Sequence, residues 1–163
     1  CAIFRLATGE MGMDDLTLES VDEEGINGLI EVIHQGFDAF SLPPGVDPFR
    51  SVPFAFTLRN NRGEIEGAVT GRSVWGWLYV HYLWVSDRCR GRDQGTRLMW
   101  EAEAEAEKRG CTGVWLSTYS FQAAAFYQKL GYLECGRIDD FPKGHTRVFY
   151  QKRLTSMSNR NKV

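Results

Sequence analysis

Between Leu83 and Met99 the chain reads LWVSDRCRGRDQGTRLM, an apolar stretch followed by a basic loop with Gly91 and Gly95 and then a helix start. Such a loop at the head of a helix can hold phosphate. The first N–H groups of a helix have no intrahelical partner, and its dipole favours an anion there. Arg88, Arg90 and Arg92 bring positive charge to the same mouth. These residue types at this spacing point to an anion site for a phosphorylated cofactor. The Gly-x-x-x-x-Gly-Lys-Ser/Thr and GxGxxG patterns are missing, which argues against a nucleotide-binding α/β domain.

The elements that must position the loop can be read along the chain. Leu16–Val21 is a short strand candidate. Glu23–Phe40 carries Ile26, Leu29, Ile30, Ile33, Phe37 and Phe40 at helical spacing, and Pro43, Pro44 and Pro48 end it in a loop. Phe54–Leu58 and Ile65–Val69 read as strands of a hairpin around Asn60-Asn61-Arg62-Gly63. Trp77–Val85 is apolar on both parities, which predicts a central strand covered on both faces. Gln94–Arg109 alternates Glu and Ala; both are strong helix formers and poor strand formers, so a helix is expected. Within it Glu105 and Arg109 form an i,i+4 pair, and Gly110 supplies the stop. Val114–Thr118 is the next buried strand. Ser120 can cap a helix through Ala123, Phe126, Tyr127 and Leu130 that stops at Gly131. Tyr132–Ile138 and Thr146–Lys152 make a last hairpin around Phe141-Pro142-Lys143-Gly144.

Composition narrows the function. A chain of 163 residues with formal charge −2 suits one domain and carries no basic footprint for nucleic acid. No apolar run approaches the roughly 20 residues of a membrane span. Cys1, Cys89, Cys111 and Cys135 show no CxxC and no metal spacing, so reduced thiols in a cytoplasmic protein, with no bound metal, are expected. Residues 1–12 read as an N-terminal extension, 13–154 as the domain, and 155–163 as a flexible tail.

Two stretches carry a family resemblance. Val85 is followed by Arg90-Gly91-Arg92-Asp93-Gln94-Gly95, similar to the loop Arg/Gln-x-x-Gly-x-Gly/Ala. Ala123-Ala124-Ala125-Phe126-Tyr127-Gln128-Lys129-Leu130-Gly131-Tyr132 is similar to A-x-x-F-Y-x-K-x-G-F/Y. With the order of elements, the chain resembles the GNAT superfamily of acyl-CoA N-acyltransferases, in its small single-domain bacterial form. The resemblance implies an α/β (α+β) fold with a mixed, mostly antiparallel sheet of about six or seven strands, flanked by helices and splayed at the cofactor site. Asp93 replaces the first loop glycine. Aspartate tolerates a left-handed backbone and caps helices well, but its charge beside a diphosphate predicts weakened binding.

The resemblance also implies roles. Acetyl-CoA is the expected cofactor and a small-molecule or peptide amine the acceptor. Leu83, Trp84 and Val85 would present backbone groups to the acyl arm. Arg90, Gly91, Arg92, Asp93, Gln94, Gly95 and Thr96 would hold the diphosphate. Ser120, Ala123 and Lys129 stand at further cofactor-contacting positions; Ser120 could equally be a cap, and Lys129 a solvated side chain. Tyr127 is the expected general acid, and His81 or water the base. His81 is placed on one strand face with Trp77, Tyr79, Leu83 and Val85. Phe37, Trp77, Tyr79 and Phe121, with Phe40, Trp75 and Phe141 beside them, are acceptor-pocket candidates lined by the loop after the first helix. A homodimer through a sheet edge or the last hairpin is a further implication. The competing function is a non-catalytic acyl-CoA sensor or interaction module.

Overall fold

A computed structural model describes residues 16–38 and 42–154. The extension 1–12, the tail 155–163 and Phe40 lie outside the described residues. Contacts divide the chain into two units, 1–41 and 42–163, each taken by itself. The first contains α1 (Glu23–Asp38), whose apolar residues recur at helical spacing behind a Glu23-Glu24 first turn. Leu16–Val21 is not a strand. A strand needs a partner ladder, none of the described residues pairs with it, and Leu18 is fully exposed.

The second unit is built on a six-stranded sheet of order β1-β2-β3-β4-β6-β5. Its strands are β1 (Val52–Arg59), β2 (Ile65–Val74), β3 (Trp77–Val85), β4 (Gly113–Tyr119), β5 (Leu133–Asp139) and β6 (Thr146–Arg153). Every neighbouring pair is antiparallel except β3 and β4. That parallel pair needs a crossover, and α2 (Gln94–Lys108) supplies it. Helix α2 buries Leu98, Met99, Ala102 and Ala106 against the sheet, so the Glu/Ala repeat resolves with alanines inside. Arg109 closes the helix, pairing with Glu105 at 2.8 Å and donating to the carbonyls of Val52 and Pro53. The core of this unit combines Leu78, Val80, Val114, Leu116, Val148 and Tyr150 from the sheet with these α2 residues and Tyr127 of α3 (Ala124–Lys129).

Two features of β3 set up the site. Against β2, Thr70 faces Tyr82 while Gly71 faces Val80, so His81 is the extra residue of a bulge. The bulge switches parity. Leu78 and Val80 face α2 before it, and Leu83 and Val85 pack on the same core after it. His81 therefore does not share a face with all four residues expected: Leu83 and Val85 lie opposite Trp77 and Tyr79. The parity switch also explains part of the apolar reading on both parities. The second face is not covered throughout, since Tyr82 and Trp84 are exposed. The other feature is a splay. Strand β3 pairs with β4 only over Trp77–Val80, while β3 runs on to Val85 beside β2 and β4 to Tyr119 beside β6. A notch opens between His81–Val85 and Ser117–Tyr119.

Candidate active site

The open wall of the notch has a definite backbone polarity. The Ser86 N–H donates to the Glu66 carbonyl at 2.8 Å, just beyond the Gly67–Val85 pair. Antiparallel pairs alternate between bonded and non-bonded. Tyr82 and Trp84 therefore direct their backbone groups to β2, and Leu83 and Val85 direct theirs into the notch. Of the three residues expected to present backbone to a ligand, Leu83 and Val85 are placed to do so and Trp84 is not.

The loop leaves the end of β3 through a 3-10 turn at Asp87–Cys89. Gly91 has φ 69° and Asp93 φ 55°, so Asp93 does adopt the left-handed backbone a glycine would favour. Its side chain makes no capping hydrogen bond, contrary to expectation. The left-handed turn sets the helix start without it, and the Arg97 N–H, donating to the Asp93 carbonyl at 2.9 Å, begins the helical ladder. The N–H groups of Gln94, Gly95 and Thr96 precede that first bond. At Gly95 a Cβ would stand 3.3 Å from the Phe126 ring and 3.8 Å from Val85. The helix start, the end of β3 and α3 thus meet at one corner.

The loop arginines are not equivalent. Arg90 pairs with Asp87 at 2.8 Å and Arg88 with Glu66 at 2.7 Å. Arg92 has no carboxylate partner among the described residues. Glu66 was not anticipated. It is buried, accepts from Ser86 Oγ at 2.5 Å and from Asn60 at 3.1 Å, and ties the loop entrance to the β1–β2 hairpin. The Ser86 hydrogen bond, with Asn60 and the Arg88 charge behind it, holds this carboxyl below its usual range. Its burial beneath the loop comes from a contact twenty residues along the chain, which strand periodicity does not carry.

Tyr127 is buried, with its ring against Phe126, Tyr132 and Tyr150. Its hydroxyl has no hydrogen-bond partner among the described residues, and burial pushes its pKa up to about 12. The phenol is therefore fully protonated at neutral pH. His81 shows the opposite shift: burial, with the Arg72 charge added, pushes its imidazole below the ordinary value. It is therefore neutral at pH 7. Its Nε2 is buried with no hydrogen-bond partner among the described residues, and its ring lies 4.4 Å from that of Tyr79. One site element thus keeps a proton and the other stays free to take one.

The remaining candidates scatter. Tyr79 stacks on Trp115 at 3.9 Å, and Trp77 and Trp115 line an open cavity of about 530 Å³ with Phe149 and Gln151. Phe121 stacks on Tyr119 at 5.4 Å beyond the notch. Trp75 is elsewhere, bonded through Nε1 to the Asp47 carbonyl at the β2–β3 turn. There the loop 45–50 lines a larger depression of about 900 Å³, at the end of β3 away from the phosphate-type loop. The expected acceptor pocket against that loop is therefore not at the notch. Ser120 does not cap α3: its N–H and Oγ bond to the Thr146 backbone, and Ala123 stands at the helix start. Strand β6 draws Ser120 into the sheet before the helix begins. Lys129 ends α3, exposed. Phe37 belongs to the separate first unit. Among the described residues no group of His, Cys, Asp and Glu could hold a metal, and no helix is long and apolar enough to cross a membrane.

The profile of the acetyltransferase (GNAT) family matches residues 34–132. The chain is 44% identical over 94 residues to the blasticidin-S acetyltransferase of Streptomyces morookaense, a match spanning 57% of this chain and 69% of that one. The fold is similar to a crystal structure of an acetyltransferase from Bacillus cereus, with TM-score 0.74 and 31% identity over 87% of this chain and all of that one. It is also similar to an aminoglycoside 6′-N-acetyltransferase solved with coenzyme A. That likeness has TM-score 0.57 and 20% identity, and covers 63% of this chain and 73% of that one.

Proposed function

The chain belongs to the acetyltransferase (GNAT) family, and from that premise we propose that it transfers an acetyl group from acetyl-CoA to the primary amine of a small molecule. The observation that carries this reading is the notch: β3 parts from β4 after Val80, beside the start of α2, with His81 at the parting. The residues present fit the cofactor. Backbone N–H groups from Gly91 to Thr96, with Arg92, suit a diphosphate. The unused edge at Leu83 and Val85 suits the amides of a pantetheine arm, which need partners in a cleft. Gly95 leaves the helix start without a side chain at the corner with Val85 and Phe126. Ala123 and Ser120 stand on the far side of the notch, where Ser120 keeps its hydroxyl proton free to donate. When bound, acetyl-CoA supplies an activated acetyl thioester.

The chain's own groups then manage protons. A protonated amine cannot attack, so a neutral acceptor for its proton is needed, and the His81 imidazole, held below its ordinary pKa by burial and Arg72, is neutral at pH 7. A departing thiolate needs a donor, and the Tyr127 phenol, raised to about 12 by burial, is a weaker acid than an ordinary tyrosine but carries its proton throughout the neutral range. Backbone N–H groups of Leu83 and Val85 are fixed donors for charge on a carbonyl oxygen. Similarity to an enzyme described as acting on an antibiotic supports a small-molecule acceptor. The test is thiol release from acetyl-CoA over a panel of primary amines. Amine-dependent release is expected. Cofactor binding with no release for any amine would favour a non-catalytic acyl-CoA sensor, and no binding at millimolar cofactor would refute both readings.

A further inference from the structure

Arg147, on β6, has no role in the reading above. Its position is unusual for a cation. It is half-buried, and its guanidinium carbon lies 5.7 Å from the ring centre of Tyr119, 5.3 Å from Phe141 and 5.5 Å from Phe149. Its Nε and Nη2 donate to Ser117 Oγ at 3.0 and 2.8 Å. No carboxylate pairs with it among the described residues. The nearby acids are engaged otherwise: Asp139 accepts from Thr146 Oγ1, Asp140 from the Gly144 N–H, and Glu134 is paired with Arg137.

Place decides what such a cation can do. Ser117 and Tyr119 form the β4 wall of the notch, and Arg147 lies behind them, paired with Tyr119 across the β4–β6 ladder. His81 stands on the other wall. The rings and Ser117 fix the guanidinium in position while its Nη1 donors have no partner among the described residues. A guanidinium so held matches a carboxylate, which takes two parallel N–H bonds from it. A leucine or methionine would fill the same space without desolvating a charge. The rings around it, Tyr119, Phe141 and Phe149, suit an acceptor with a flat or apolar body.

We propose that Arg147 binds a carboxylate on the acceptor, so that the substrate class is amines that also carry a carboxylate; the inference rests on the acetyl-transfer reading. The amine end reaches toward His81 while the carboxylate is held behind Ser117.

The test is titration of acetylated products into the complex of the full chain with coenzyme A. The probes are N-acetyltryptophan and N-acetyltryptamine, N-acetylhistidine and N-acetylhistamine, and N-acetylornithine and N-acetylputrescine. Each pair differs by the carboxylate. In at least one pair the carboxylate member should bind at least tenfold tighter. Arg147→Met should abolish that difference, and Arg147→Lys, which keeps the charge but not the fork, should retain a few-fold of it. Coenzyme A affinity should stay within twofold in both. Equal binding within all three pairs, or a difference that survives Arg147→Met, overturns the proposal. So does a loss of coenzyme A affinity in the variants, which would assign Arg147 to a cofactor phosphate. Failure of coenzyme A to bind the parent protein would instead overturn the acetyl-transfer reading.

Discussion

The two halves of β3 differ in how many of their edges are paired. From Trp77 to Val80 the strand is paired on both edges, with β2 and with β4; from Tyr82 to Val85 it is paired with β2 alone. Leu78 and Val80 are almost completely buried in the first half, whereas His81, between the halves, holds a ring nitrogen without a partner. One half uses its backbone groups to hold the sheet together, and the other leaves one edge of them for a ligand. The bulge at His81 is the boundary. If the division is sound, changes around the open half should alter turnover with little effect on stability, and changes at the closed half should do the reverse.

The largest effect is expected at the open end. Tyr127→Phe keeps the ring in its core contacts and removes only the proton donor. A fall in kcat of about 10²–10³-fold is expected, at the lower end of what a general acid contributes, with acetyl-CoA affinity within about twofold by calorimetry. Because burial puts the phenol near 12, the parent should show no alkaline loss from this group below about that pH. Full activity in the variant would take the phenol out of the chemistry.

At the closed half, Gly71 faces Val80, and a Cβ there would collide with the Tyr79 carbonyl and the Phe54 ring. Gly71→Ala should cost at least about 2 kcal/mol, as overpacking does, and lower Tm by roughly 4 °C or more. The folded fraction should keep kcat/KM within about twofold. A turnover loss as large as that of Tyr127→Phe would mean that the halves are not separate in function.

His81 tests the boundary itself. A base must be neutral to work, and its pKa lies below the ordinary 6.5 through burial and Arg72. The sign is therefore fixed: the contribution of His81 is fully present above pH 6.5 and lost as pH falls through the lowered pKa. His81→Gln should lower kcat/KM by about 10–100-fold and erase this acid limb, the amine's own ionisation being common to both profiles. Arg72→Met should move the limb upward toward 6.5. A His81→Gln profile that matches the parent would leave water as the base.

Much of this architecture is legible in the chain because it is local. Trp77–Val85 is read with its observed ends, since an apolar run bounded by Gly76 and Ser86 needs nothing distant to define it. The left-handed turn at Asp93 and the helix after it follow from residues beside one another. What the chain hides is pairing. A bulge shifts register by one residue and leaves no compositional mark, so His81 looks aligned with Leu83 and Val85 although they face the other way. Ser120 looks like a cap because its competitor, the Thr146 backbone, is distant in sequence. Three loop arginines look alike until Glu66 and Asp87 are seen to engage two of them. Arg147 gave no signal at all, because its setting is assembled from two strands and a turn.

Asp93 carries the smallest expected effect and the finest distinction. It lies at the mouth of the notch, left-handed, exposed and without a side-chain hydrogen bond. Two consequences of replacing it by glycine oppose each other. Loss of the carboxylate removes repulsion toward a diphosphate, an effect reduced by solvent and salt at an exposed site. Loss of the Cβ relieves the left-handed backbone but frees the unliganded loop, which costs about 0.5–1 kcal/mol of order. The charge should win narrowly, so Asp93→Gly should tighten acetyl-CoA about threefold, or roughly 0.6 kcal/mol, and less at high salt. Asp93→Asn separates the causes, since asparagine tolerates the same backbone without the charge. If asparagine tightens binding as glycine does, the carboxylate is the obstacle. If asparagine behaves as aspartate does, the backbone is what matters, and unchanged affinity in both variants means that the carboxylate points away from the diphosphate.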